Sequence, residues 1–231
     1  MSNLALGLDC SGETYSVGLY GGRGISLEVN GFQPRKALRE IPGAIAFLLK
    51  TAGATHADLA VVGLTQGPGS FTGVRLGVTV AKTVAFASGC KLCPWDTLEL
   101  LARQTLPDSS QGTVAVALDA RRSELYCGLF GKGSGDWQTL VPTGVRSADE
   151  FAAELAKAGP IHALIGTGFA AYPQLCPLSW SGPRYLTREE SAPRGLVIAR
   201  SSLVADARWV ASEQLLPVYH READIQVSSP R

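Results

Sequence analysis

Over the first thirty positions the apolar side chains fall into short runs, residues 3–10, 14–21 and 25–30, rich in Val, Ile, Leu and Tyr. Ser11-Gly12-Glu13 and Gly21-Gly22-Arg23-Gly24 separate them, and residues that turn the chain between such runs predict three consecutive antiparallel strands. From 35 to 51 the period changes. Leu38, Ile41, Ile45, Leu48, Leu49 and Ala52 stand three and four apart, as one face of a helix requires, with Pro42 marking a kink or the true start. Residues 58–65 form a near-continuous apolar strand, followed by a glycine-rich turn and a second helix over 71–88. A short strand near 90–95 and a helix at 97–105 complete this half.

The second half begins again. Residues 4–21 can be laid without gaps on residues 114–131, and six of the 18 positions are identical: Ala5/Ala115, Leu8/Leu118, Asp9/Asp119, Gly18/Gly128, Leu19/Leu129 and Gly21/Gly131. The order of elements also repeats, with a third strand near 137–145, a helix near 147–158 and a strand over 161–166. Two lobes, each with a mixed sheet, helices and an Asp closing its first strand, describe an α/β, duplicated ribonuclease-H-like fold, the actin-like ATPase architecture. The expected division is 1–106 and 107–231, with the tail 217–231 free either to pack back on the first lobe or to meet a partner. In that architecture two hairpins grip nucleotide phosphates through backbone N–H groups, and Asp9 and Asp119 take the places of the metal- or water-positioning aspartates.

Composition narrows the function classes. Of 231 residues, 45% are hydrophobic and only 18% charged, so disorder and coiled coil are excluded. The net charge of +1 supplies no global field for a nucleic-acid backbone or an acidic membrane. No apolar run reaches the roughly 18 residues of a spanning helix. Asp9 inside the first apolar run argues against a secretory leader, so a cytoplasmic protein is expected. Five cysteines, mostly in apolar runs, read as reduced thiols, including the pair Cys90 and Cys93.

The sharpest local motif is Gly67-Pro68-Gly69-Ser70-Phe71-Thr72-Gly73-Val74-Arg75, which joins a buried strand to a helix with Ser70 placed as N-cap. It is not a Walker A loop, because Val74 stands where the phosphate-reaching Lys would be. Along the following helix Gly73, Gly77, Ala81 and Ala85 form a ridge of small side chains that admits a neighbouring helix. Together with Leu38, Ile41, Ile45, Leu48 and Leu49, and with Phe47 off that stripe, the ridge predicts a docking surface for a partner. No Gly-x-Ser-x-Gly elbow is present, and His56, His162 and His220 are too scattered for a local metal pair. The first hairpin turn carries Glu13, which repels a phosphate, and the second lacks glycine although Arg121 and Arg122 suit an anion.

The 67–75 run resembles the signature of the TsaB (YeaZ) family of bacterial tRNA threonylcarbamoyladenosine modification. Leu8-Asp9-Cys10-Ser11, Leu118-Asp119-Ala120-Arg121 on to Tyr126, Gly166-Thr167-Gly168, Ala192-Pro193 before a helix and the tail Pro217-Val218-Tyr219-His220-Arg221 fit the same family, so the resemblance covers most of the chain. It implies the duplicated actin-like fold again. It also implies a scaffold with no catalytic residue and no metal or cofactor of its own. The chain would pair with the catalytic relative TsaD through the first two helices, and with itself when alone. ATP and metal would belong to TsaD and to the small ATPase TsaE, and tRNA would be met only indirectly. Asp9, Ser11, Asp119 and Arg121 would be the remnant of a nucleotide site. The alternative is a stand-alone ATP-dependent enzyme of the actin and sugar-kinase superfamily.

Overall fold

The computed structural model describes residues 4–22, 24–32, 34–106, 110–134, 136–176, 181–205 and 208–220, with backbone only for 34–38. β1 (Leu4–Asp9), β2 (Thr14–Gly21) and β3 (Ile25–Phe32) form an antiparallel meander. α1 (Pro34–Thr51), with Pro42 inside it, leads to β4 (Leu59–Thr65), which returns parallel to β1. α2 (Phe71–Ser88) then leads to β5 (Lys91–Trp95), parallel to β4, giving the order β3-β2-β1-β4-β5. After α3 (Thr97–Thr105) the plan repeats with β6 (Gly112–Asp119), β7 (Glu124–Lys132), β8 (Trp137–Ser147), α4 (Ala148–Lys157), β9 (Ala163–Ile165), α5 (Thr167–Ala171) and β10 (Arg184–Tyr185). The second sheet runs β10-β9-β6-β7-β8, the same order read from the other edge. The fold is the expected two-lobe α/β duplication.

The ungapped repeat, however, is out of register by one residue in β6. Leu4, Leu6 and Leu8 share a core with α1 and α2, together with Tyr15, Val17 and Leu19 of β2. In the second lobe the core beneath α4 and α5 takes Ala115 and Ala117 with Leu125, Cys127 and Leu129. Tyr15 to Leu19 therefore map onto 125–129 at an offset of 110, whereas Leu6 and Leu8 map onto Ala115 and Ala117 at 109. The pairing agrees: Gly7 lies opposite Gly18, but Ala117 lies opposite Cys127 rather than Gly128. Because strand side chains alternate, a slip of one residue changes the face. Asp119 is thus not the structural counterpart of Asp9.

The expected lobe boundary is also corrected. A sixth helix, α6 (Gly195–Val204), comes after the second sheet yet covers β1, β2 and β4 of the first. Gly7, Gly18 and Gly63 lie side by side across β1, β2 and β4. A Cβ at Gly7 would overlap the carbonyl oxygen of Gly195, one at Gly18 the Gly195–Leu196 peptide, and one at Gly63 the Ser202 hydroxyl. The helix backbone rests directly on the sheet because three neighbouring strands carry no side chain there. Beyond α6, Val210 bridges to Leu92, and Leu215 is buried in the first-lobe core. The tail packs back on the first lobe as far as residue 220; residues 221–231 lie outside the described ones, as do 107–109 at the expected boundary. Conversely α3 gives Leu98, Leu101 and Ala102 to the second-lobe core and Leu100 to the first.

Candidate functional site

At the carboxyl ends of β1 and β4 the backbone brings Asp9 and Thr65 together. Asp9 is 1% exposed. Its Oδ1 accepts from the Thr65 hydroxyl at 2.6 Å, the Ser11 hydroxyl at 2.7 Å and the Ser11 N–H at 3.1 Å. Its Oδ2 is buried without a partner among the described residues. Burial pushes the carboxyl up to about 6, against the pull of these hydrogen bonds. Thr65 was missed as a site residue, although a lone hydroxyl closing an apolar strand beside the Asp9 strand was a usable signal.

The 67–75 motif closes over this turn. The Ser70 N–H donates to the Ser11 carbonyl at 2.7 Å, and Ser70 Oγ caps α2 by accepting from Gly73 N–H at 3.3 Å. A Cβ at Gly69 would overlap the Ser11 carbonyl oxygen, and one at Gly73 that of Cys10. The motif glycines therefore serve contact between loop and hairpin, and the Ser11 N–H at the base of the turn points at Asp9, while Gly12 and Glu13 at its tip are exposed. On the other side of the loop the Val218 N–H donates to the Gln66 carbonyl at 2.8 Å, and Gly67, at φ 119°, lies against the Val218 carbonyl. Arg75 stacks 3.9 Å from the centre of the Phe71 ring and donates from Nε to the Tyr219 hydroxyl at 2.8 Å, with the two rings 5.0 Å apart. The motif thus holds the first hairpin on one side and the tail on the other.

The second hairpin differs. Asp119 is exposed and accepts from the Arg121 N–H at 2.8 Å. Arg121, Arg122 and Ser123 have φ of 62°, 56° and 62°, a left-handed run that L side chains resist. This tight turn accompanies the slipped register. At the tip of the first hairpin Glu13 is ion-paired with Arg188, which follows β10 of the second lobe, so the carboxylate already has its cation.

A family model described as TsaD, tRNA N6-adenosine threonylcarbamoyltransferase, matches residues 25–191. The tRNA threonylcarbamoyladenosine biosynthesis protein TsaB of Escherichia coli is 25% identical, over 94% of each chain. That of Haemophilus influenzae is 29% identical, over 79% of this chain and 80% of its own. Among solved structures, YeaZ from Pseudomonas aeruginosa superposes with a TM-score of 0.80 at 28% identity, covering 95% of this chain and all of that one. The chain belongs to the TsaD family, in its TsaB (YeaZ) group.

In this TsaB-group chain the expected docking stripe is turned inward. Ile41, Ile45, Leu48 and Leu49 are buried in the chain's own core. Gly73 and Gly77 face Cys10 of the first hairpin, and Ala81 is buried against the sheet. The side chain of Leu38 lies outside the described residues. A periodic stripe reports that a helix face is buried, not what buries it, and here the sheet does. The outward faces of the same helices carry the surplus apolar surface: Phe47 is 60% exposed and Phe86 91% exposed. Cys90 and Cys93 are free thiols, and burial raises Cys93 to about 11, so neither is primed to react. Among the described residues no three His, Cys, Asp or Glu side chains are grouped to hold a metal. No helix among them is long and apolar enough to cross a membrane.

Proposed function

We propose that this chain takes part in threonylcarbamoyladenosine formation on tRNA as a non-catalytic subunit that binds and activates a TsaD-type transferase. The names of its relatives supply the pathway. The observation that supports the non-catalytic part is the engaged base of the first hairpin: the loop of the 67–75 motif packs on the Cys10 and Ser11 carbonyls, and the Ser11 N–H is spent on Asp9 rather than left for a phosphate. Glu13 at its tip is already paired with Arg188 of the second lobe, so that ion pair occupies the place beside the turn. The remnant site of Asp9, Ser11, Asp119 and Arg121 is correspondingly split, with Asp9 buried and Asp119 exposed on a strand of different register. ATP and metal belong to the partners, TsaD and TsaE, and tRNA reaches this chain only through them.

Docking is assigned to the outward face of α1 and α2, where Phe47 and Phe86 stand away from the sheet that both helices cover. The same face serves a second copy when no transferase is present. Phe86→Asp is expected to weaken capture of the TsaD-type protein of the same cells at least tenfold in a pull-down. It should leave the chain's own unfolding within ~0.5 kcal/mol of the parent, as for an exposed position. Titration of the isolated chain with ATP and magnesium is expected to give no sub-millimolar binding. Undiminished capture would remove this face from the interface, and tight nucleotide binding lost in Asp9→Ala would favour the stand-alone enzyme.

A further inference from the structure

We infer that the two lobes are locked by a clamp built on α3, which fastens the return crossing to the first, so that the lobes do not move about a hinge. The first crossing is α3 itself, with Leu100 in the first-lobe core and Leu98 and Leu101 in that of the second lobe. The second crossing is the return from β10 to α6. There the Gln104 side chain donates to the Ala192 carbonyl at 3.0 Å and accepts from the Arg194 N–H at 3.1 Å, which ties the end of α3 to the start of α6. One helix therefore holds both strands of the connection.

Around its middle the same helix gathers a charged and aromatic cluster. Glu99, nearly buried, accepts a two-point contact from Arg208, 2.9 Å at each oxygen, and a further one from Arg103 at 2.9 Å. Both guanidinium groups lie against Trp95 at the end of β5, 4.3 and 4.9 Å from its ring centre. Arg103 also lies 5.7 Å from the Trp137 ring, which opens β8, and 3.6 Å from Asp136. The Trp95 indole N–H donates to Ser202 of α6 at 2.8 Å. First-lobe strand, linking helix, returning helix and second-lobe strand thus meet in one network centred on the largely buried Glu99 and Arg103, where charge-assisted bonds and cation–π contacts reinforce one another. A hinge needs a few residues free to absorb backbone rotation. Here the return crossing is bonded to α3 at Ala192 and Arg194, on the Gln104 side chain.

The test is the distribution of distances between spin labels on cysteines introduced at exposed Lys50 of α1 and Lys157 of α4, in a Cys90→Ala, Cys176→Ala background. The parent is expected to give one narrow distance, unchanged by magnesium and ATP. Glu99→Gln combined with Gln104→Ala is expected to broaden the distribution at least twofold. Should that double variant lose its fold by circular dichroism, Arg103→Lys takes its place, keeping a cation beside Glu99 while removing the planar fork that reaches both tryptophans. A parent distribution that is broad, or that shifts with ATP, overturns the lock. So does a folded clamp variant as narrow as the parent.

Discussion

Gly7→Ala is expected to destabilise the chain by about 3 kcal/mol or more, and Gly7→Val to leave no folded protein. Overpacking a core usually costs roughly 1–3 kcal/mol, because side chains can shift rotamer to absorb the added atoms. At Gly7 the atoms in the way are backbone: the Gly195 carbonyl and the Ala199 N–H. They cannot shift without lifting α6. That movement would break the Ser16 hydroxyl bond to the Gly195 N–H at 2.7 Å and uncover Ile198 and Ala199, both fully buried. It would also pull on the Glu28 carboxylate, which accepts from the Leu196 N–H at 2.9 Å and pairs with Arg194 at 2.6 Å. Gly22→Ala, where a Cβ meets nothing within 4 Å, is the control and should change little. Urea unfolding of the two variants side by side decides the matter. A Gly7→Ala midpoint equal to that of Gly22→Ala would mean that α6 does not sit where the glycine row places it.

That row shows what the sequence disclosed and what it concealed. Nearly every strand and helix was legible, because periodicity reports which residues share a face. It does not report what covers that face. Ile41, Ile45, Leu48 and Leu49 were readable as a buried stripe, yet nothing in the spacing says whether a partner or the chain's own sheet buries it. The destination of α6 was concealed for a related reason: Gly-Leu-Val-Ile-Ala-Arg-Ser-Ser-Leu-Val is apolar nearly all round and has no stripe to orient it. The usable signal lay elsewhere, in Gly7, Gly18 and Gly63, three glycines inside apolar strands where a close backbone approach is the ordinary reason for glycine. The slipped register of β6 escaped because six identities at one offset outweigh a one-residue change in the turn that only pairing reveals. The motif 67–75 was recognised as special, but its chemistry lies in contacts far away in sequence, from Ser70 to Ser11 and from Arg75 to Tyr219.

Asp9 gives the second large expectation, and its sign is opposite to that of a salt-bridged carboxylate. Its folded-state value of about 6 stands above the ordinary 3.8, so the native chain binds the proton more tightly than the unfolded one. Stability from this group is then complete below pH ~4, falls as pH rises through about 6, and stays low above. The rise from 3.8 to about 6 corresponds to about 3 kcal/mol. In Asp9→Asn the amide oxygen can keep accepting from Ser11 and Thr65, while the amide nitrogen takes the place of the unpartnered Oδ2 and cannot ionise. The ~1 kcal/mol cost of a buried N–H without a partner applies at every pH, so the stability of the variant relative to the parent should rise by about 3 kcal/mol from pH 4 to pH 7.5, whatever its starting offset. Subtracting the two unfolding curves cancels every other titrating group and leaves Asp9 alone. A difference that stays flat from pH 4 to 8 would mean that Oδ2 is solvated or neutralised, and that the turn beneath the motif is open rather than closed.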